Sequence, residues 1–430
     1  MHFKLFFIIQ TLIIFPVVNL LSLFIPILKK RKAFEKENFN IINSNDWHAD
    51  IAFEVSSEGE FEQIISLCEI YLSQNKKIEL IFCSESAVDV VTKWAKDKSS
   101  QVRVLRLPLI TNIPFVKNRS ILKFLTAKVL VLCRYDFFPE LLYYGIYKAE
   151  KFVLLDATLI HKFDKLKGKK GLTCYIYNQF DLIITSTQSD IERISSAFQI
   201  SKQRLSCFNF RTLRIISRVS GAENKLAGFS SFALFLDFLN KFEYKKRIIL
   251  GNFYSNETEL LSEAFVAQIQ NREILSLIVP HKIEEQIHTS LRKYTINFNM
   301  TRLEMEQILN EYLQNPGLLI LKQKGVLCEL FHYFSVAYVG GGFFGSVHSI
   351  LEPHLSGAFV ICGPNIQRST EFELAKNRDE RSVVSINNQS DFFKVAINHI
   401  QSIHAKKDLG KSFNEQKECA LQLSSTILKI

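Results

Sequence analysis

The chain has 430 residues, enough for two domains, and 47% of them are hydrophobic, which excludes a disordered or collagen-like polymer. The formal charge is +10 and the pI about 9.0, but the lysines and arginines are scattered. That pattern predicts a solvated surface drawn to anionic membranes or phosphorylated substrates, with no nucleic-acid partner.

Residues 5–28, "LFFIIQTLIIFPVVNLLSLFIPIL", carry no charge and are followed at once by Lys29-Lys30-Arg31-Lys32. At 1.5 Å per residue a single helix would run about 36 Å, enough to span a bilayer. The basic flank predicts that the rest of the chain is cytoplasmic. Pro16, Asn19 and Pro26 leave open a helix lying in the interface. A signal peptide fits less well, because no cleavage signal follows. Residues 1–32 are therefore expected to be a membrane anchor.

From about residue 48 short apolar runs alternate with helical patterns. "DIAFEV", "KIELIFC", "VRVLRLP", "AKVLVLC", "KFVLLDATLI" and "FDLIITST" read as strands, with "EFEQIISLCEIYL" and "AVDVVTKWAKD" as helices between them. Asp156 ends one of these strands and reads equally as a turn cap or a substrate contact. A quieter stretch covers 214–245. The alternation then restarts with "RIILGN", "ILSLIVPHK", "GLLILK", "SVAYVGGG" and "AFVICGP" as strands. Buried strands joined by helices predict parallel sheets with helices on both faces. The expected organisation is an N-terminal Rossmann-like domain over 45–215 and a second over 245–430, facing a cleft. None of the eight cysteines forms a C-x-x-C pair, so buried free thiols in a reducing compartment are expected, and no metal site.

Two stretches carry candidate chemistry. Ser57-Glu58-Gly59-Glu60 follows the first strand. Ser57 and Glu60 have capping-box spacing, yet a carboxylate at the mouth of a strand–turn–helix unit is also placed to act as a base. Residues 336–364, "VAYVGGGFFGSVHSILEPHLSGAFVICGP", run from a strand into Gly340-Gly341-Gly342, then toward a helix expected to begin near His348 or Ser349. Glycines let backbone approach a ligand closely, and a helix N-terminus favours anions. Ser349 and Glu352 repeat the capping spacing, so capping and ligand binding both remain open for Glu352. Glu257 and Glu259 read as helix N-terminal residues.

On these motifs the sequence resembles the 3-deoxy-D-manno-octulosonic acid (Kdo) transferases. Their S-x-G-E motif is matched by Ser57-Glu58-Gly59-Glu60. Their C-terminal signature is matched by Gly341-Gly342, His348-Ser349-Ile350-Leu351-Glu352-Pro353 and Gly363-Pro364. "CRYDFFPELL", with Asp136, echoes a further family segment, and Gly251 to Thr258 a polar turn. Pro280-His281-Lys282 stands where the family has Pro-Arg-His, and Ser349 where it has Asn.

The resemblance implies a GT-B glycosyltransferase, inverting at the sugar, that moves Kdo from CMP-Kdo to a lipid A precursor in lipopolysaccharide core synthesis. Glu60 would be the general base, its pKa lowered by the helix dipole. Ser57, Gly59 and Asp136 would face the acceptor. Gly341, Gly342, His348, Ser349, Glu352, Asn252, Ser255, His281 and Lys282 would hold the donor. The glycines, the 252–255 turn and the helix start at Ser349 would neutralise the phosphate without a metal or other cofactor, and Glu352 would hold the ribose. The lost arginine and asparagine keep two alternatives open: a GT-B enzyme using another nucleotide sugar on a membrane lipid, and a catalytically impaired membrane-anchored homologue.

Overall fold

The computed structural model describes residues 8–36, 47–109, 121–134, 136–159, 170–282, 295–298, 300, 302–367, 369–402 and 410–429. Residues 5–7 of the apolar N-terminus lie outside the described residues. The chain divides into two compact units, residues 1–214 with 416–430, and residues 215–415. The expected domain limits thus shift at both ends. The stretch 214–245 supplies three helices, Phe210–Ser220, Ala222–Leu226 and Phe232–Leu239, and the last helix, Gly410–Leu428, returns to the first unit. Tyr71 Oη donates to the Ser424 carbonyl at 3.0 Å, and Lys151 Nζ to the carbonyls of Thr426 and Lys429 at 2.6 Å each.

The first unit holds seven strands: β1 (Ile51–Val55), β2 (Ile78–Phe82), β3 (Val102–Arg106), β4 (Val129–Cys133), β5 (Lys151–Ala157), β6 (Leu182–Thr185) and β7 (Leu205–Cys207). Every pairing is parallel, in the order β3-β2-β1-β4-β5-β6-β7. The central strands are buried along their whole length, which is why they read as unbroken apolar runs. Phe152 stacks on Phe180 at 4.2 Å in the core against one face of the sheet.

The second unit repeats the plan with β8 (Arg247–Phe253), β9 (Leu275–Pro280), β10 (Thr295–Phe298), β11 (Leu318–Leu321), β12 (Val336–Val339), β13 (Phe359–Cys362) and β14 (Val383–Ser385). Its order is β10-β11-β9-β8-β12-β13-β14, again parallel. One core packs Phe235, Phe238 and Tyr312 on one face; another packs Phe265, Tyr338 and Phe392 on the other.

Strand order reverses between β1 and β4 in the first sheet and between β8 and β12 in the second. Outside the carboxyl ends of strands at such a reversal the crossover helices diverge to opposite faces and leave a crevice. Glu60 follows β1 and Asp136 follows β4; the 252–256 turn follows β8 and Gly340–Gly342 follow β12. Topology alone therefore puts both candidate motifs where an open α/β sheet binds ligands.

At the N-terminus no single helix among the described residues is long and apolar enough to cross a membrane. Two helical pieces, Leu12–Leu21 and Pro26–Lys36, meet at a bend of 109°. Ser22 Oγ donates to the Asn19 carbonyl and Asn19 Nδ2 to the Phe15 carbonyl, side-chain bonds that compete with the helical ladder. Pro26 then bars Ile25 from helical continuation. The second piece is clasped to the first unit. Arg31 donates to the carbonyls of Cys83 and Leu107 and to Glu35, and Arg106 donates to the Phe34 carbonyl at 2.6 Å.

The cysteines form no disulfide. Cys68, Cys133, Cys328 and Cys362 are buried, whereas Cys207 and Cys419 are exposed, so burial does not extend to all eight.

Candidate active site

In the first unit the helix Glu58–Ser73 begins directly after β1. Ser57 is its N-cap, and its hydroxyl accepts from the Glu60 N–H at 3.3 Å. The Glu60 carboxylate reaches back past the cap and accepts the Ser56 N–H at 2.6 Å. Half of the expected capping box is present; the other half is displaced by one residue, and the displacement draws the carboxylate inward. Glu60 is only 5% exposed.

Burial raises the Glu60 pKa, against the pull of the Ser56 N–H; Asp136 and Asp156 raise it further and Arg134 lowers it. The expectation that the helix dipole would depress this pKa is corrected here. Loss of water and two carboxylates from other strands outweigh a dipole that acts only over the first turn. Glu58 is exposed and the relevant charges come from β4 and β5. A carboxylate with a raised pKa is a stronger base than one with a depressed pKa.

Sequence reasoning missed much of this neighbourhood. Arg134, just past β4, adopts the left-handed conformation at φ 62°, and Asp156, near the end of β5, does so at φ 53°. Such backbone in non-glycine residues persists only where surrounding contacts enforce it. Arg134 Nε donates to Asp156 Oδ2 at 2.7 Å, and Ser186 Oγ donates to Asp156 Oδ1. Asp156 thus serves as an ion-pair partner rather than a simple turn cap. Asp136 is half-buried, two residues past Arg134 in the chain. Gly59 has no conformational or steric need to be glycine: a Cβ there meets nothing nearer than Ser57 Oγ at 3.9 Å.

In the second unit the decisive residue is Glu257, fully buried. Its carboxylate accepts from the Tyr254 N–H at 3.0 Å, the Gly341 N–H at 2.9 Å and the Tyr338 hydroxyl at 2.8 Å. It latches the turn after β8 to the glycine loop after β12. Glu257 does stand at the start of a short helical turn, Thr258–Leu260, with Glu259 in it, but its side chain makes no capping bond there; the next α-helix begins at Glu263. Asn252 takes the left-handed conformation at φ 52°, at an irregularity in β8 pairing. A Cβ at Gly340 would sit 2.0 Å from the Asn252 carbonyl oxygen, and one at Gly342 would sit 2.9 Å from Gly363. These glycines are demanded by the close approach of the chain's own loops.

The latch holds a ladder of rings. Tyr254 stacks on His281 at 4.7 Å between centroids, His281 lies 4.6 Å from His348, and Tyr254 Oη and His348 Nε2 share a hydrogen bond of 2.8 Å. Burial, with the neighbouring His281, lowers the His348 pKa, so it is neutral at physiological pH. His281 and Lys282 are exposed at the end of β9, and Ser255 is exposed in the β8 turn. The structure thus brings together Asn252, Ser255, His281, Gly341 and His348 at the carboxyl ends of the central strands β8, β9 and β12.

Ser349 and Glu352 depart from expectation. The helix is short, Leu351–Leu355, and its N-cap, Ile350, makes no side-chain capping bond. Glu371 Oε2 instead accepts from Ser349 Oγ at 3.0 Å, Ile350 N at 2.9 Å and Leu351 N at 3.2 Å. The N-terminus read as a phosphate site already holds the chain's own carboxylate, and the Ser349–Glu352 capping box does not form. Nearby, buried Glu329 accepts from Arg218 at 2.9 and 3.2 Å and from Lys225 at 2.8 Å. Burial works to raise the Glu329 pKa, but these two cations prevail and lower it. Arg218 also feels the charge of Glu352.

A family model described as 3-deoxy-D-manno-octulosonic-acid transferase (kdotransferase) matches residues 28–211, a stretch containing Ser57, Gly59, Glu60 and Asp136. The 3-deoxy-D-manno-octulosonic acid transferase of Aquifex aeolicus is 26% identical over 337 residues, covering 78% of this chain and 80% of the relative. That of Chlamydia trachomatis serovar D is 28% identical over 188 residues, 42% of each chain. The chain is thus similar to Kdo transferases over 78% of its length, and the family model matches its first unit. These likenesses support a glycosyltransferase.

Among solved structures, the UDP-GlcNAc 2-epimerase of Methanocaldococcus jannaschii superposes with a TM-score of 0.55 at 10% identity, covering 87% of this chain and 99% of that one. The Neisseria meningitidis UDP-GlcNAc 2-epimerase, bound to UDP-GlcNAc, gives 0.51 at 10% identity, over 88% and 99%. At such identity these likenesses carry fold alone, which is the GT-B class of two parallel-sheet α/β domains.

Proposed function

We propose that this Kdo transferase-like protein moves Kdo from CMP-Kdo to a lipid A precursor, with inversion, at the cytoplasmic face of a bacterial inner membrane. The acceptor hydroxyl attacks the anomeric carbon, Glu60 takes its proton, and CMP leaves from the opposite face of the sugar. The observation that carries this reading is Glu60 itself: a buried carboxylate, held by the Ser56 N–H at a strand-order reversal, with its basicity raised by burial. Ser57 and Gly59 border the acceptor; the open space over Gly59 is room for a sugar.

On the donor side, the exposed pair His281-Lys282, with Ser255 and the Asn252 turn, receives the phosphate without a metal. Gly341, Gly342 and His348 shape the pocket through the Glu257 latch and the ring ladder. Ser349 and Glu352 act from behind it. Lys282 meets the phosphate as a point charge, not as a bidentate arginine.

For membrane attachment, the bent pair Leu12–Leu21 and Pro26–Lys36 dips into one leaflet. Exposed Leu20, Leu23, Phe24 and Ile27 enter the acyl region while Lys29, Lys30 and Lys32 meet anionic headgroups. A protease-sensitive tag at the N-terminus is then cleaved from the same side of a vesicle as the catalytic domains; cleavage only from the opposite side refutes insertion into one leaflet.

The reading as a whole is tested by incubating the purified protein with CMP-Kdo and lipid A precursor. Appearance of a Kdo-bearing lipid is expected. Absence of product together with a thermal shift from UDP-sugars and none from CMP would instead support a different nucleotide donor.

A further inference from the structure

Glu54 occupies the fourth position of β1, where the other four residues are apolar, and it is fully buried. Ser56 Oγ donates to Glu54 Oε1 at 2.8 Å and the Cys133 backbone N–H also acts on the carboxyl, while Glu54 Oε2 is buried with no well-aligned hydrogen-bond partner among the described residues. Among the described residues no cation pairs with it. The same serine grips Glu60, its N–H donating at 2.6 Å, and Cys83 Sγ donates to the Ser56 hydroxyl at 3.3 Å. Two carboxyl groups are thus joined through one residue.

The groups facing this pair are Asp136 after β4, Asp156 in β5, Arg134, and the Cys83 and Cys133 thiols. Arg134 is bonded to Asp156. Burial drives the Glu54 pKa well up, against the Ser56 hydrogen bond, and the Glu60 and Asp136 charges drive it further. Two carboxylates in such a site do not both ionise at neutral pH. The charge resides on Glu60, which has the backbone N–H and the Arg134 field.

We propose that Glu54 is a positioning residue for the transfer reaction: a neutral carboxyl whose hold on the Ser56 hydroxyl fixes the N–H that orients the Glu60 carboxylate. This inference rests on the reading of Glu60 as the base. Truncating Glu54 leaves Ser56 free to turn, and Glu60 loses its alignment with the acceptor hydroxyl. A glutamine, which offers Ser56 the same acceptor and carries no charge, preserves the arrangement.

The test compares Glu54→Leu, Glu54→Gln and Glu60→Gln in the full-length enzyme with CMP-Kdo and lipid A precursor. Glu54→Leu is expected to fold with an unchanged or higher Tm, because apolar groups replace a buried carboxyl without loss. Its kcat falls about ten- to hundredfold, and the acid limb of its pH profile moves. Glu54→Gln stays within about threefold of wild type. Wild-type kcat and acid limb in Glu54→Leu overturn the proposal, as does an equal loss in Glu54→Gln and Glu54→Leu. Infrared difference spectroscopy supplies a readout independent of turnover. The carbonyl stretch of a protonated carboxyl at neutral pH is expected in wild type and lost in Glu54→Gln, and its absence from wild type also overturns the proposal. Should Glu60→Gln retain full transfer, the base assignment fails separately, while the infrared band still decides the state of Glu54.

Discussion

Replacing Glu257 by alanine tests whether the donor-side loops are held by one buried carboxylate. Three donors lose their acceptor together: the Tyr254 N–H, the Gly341 N–H and the Tyr338 hydroxyl, at 3.0, 2.9 and 2.8 Å. Leaving one buried donor unsatisfied costs about 1–3 kcal/mol, so three give at least about 3 kcal/mol even if water enters the vacated space. At about 2–4 °C per kcal/mol for a unit of this size, Tm falls by about 6–12 °C. Because the latch sets both the β8 turn and the Gly341 backbone, CMP affinity falls with it. Glutamine at 257 keeps one carbonyl acceptor and shows a smaller drop. Scanning calorimetry with and without CMP is the assay. A Tm within about 2 °C of wild type and unchanged CMP binding would refute the reasoning.

Other perturbations separate structural from chemical roles. Gly342→Ala drives a Cβ to 2.9 Å from Gly363, so overpacking of about 1–3 kcal/mol should lower Tm in a melting experiment. Gly59→Ala meets open space, so helix propensity should hold or raise Tm by up to about 1 kcal/mol equivalent while the KM for the lipid acceptor rises; an unchanged KM would remove Gly59 from the acceptor site. Arg134→Ala removes the positive charge that lowers the Glu60 pKa, so the acid limb of the pH–rate profile should move to higher pH; movement to lower pH would contradict the electrostatics.

The central strands were legible because buried parallel strands must be apolar throughout, as in "VLVLC" of β4. β7, β10 and β14 were not, because each is a short strand at a sheet edge, only partly buried, with no apolar run to betray it. Helices at 215–245 were hidden by mixed composition, although Phe232, Phe235 and Leu239 lie on one core-facing stripe. Glu60 was found through its Ser57 spacing. Glu54 and Arg134 were not, and Asp156 was singled out without its ion-pair role, since these contacts join separate strands and sequence spacing carries no record of strand order. Glu371 was missed for a related reason: it caps residues about twenty positions upstream, beyond any local capping pattern.

The most direct measurement is the single-turnover rate of Kdo transfer by Glu60→Gln. Glutamine keeps the volume and an acceptor for the Ser56 N–H but cannot take a proton. The account predicts a fall of about 10²- to 10⁴-fold with CMP binding preserved. A rate within about tenfold of wild type would contradict Glu60 as the base.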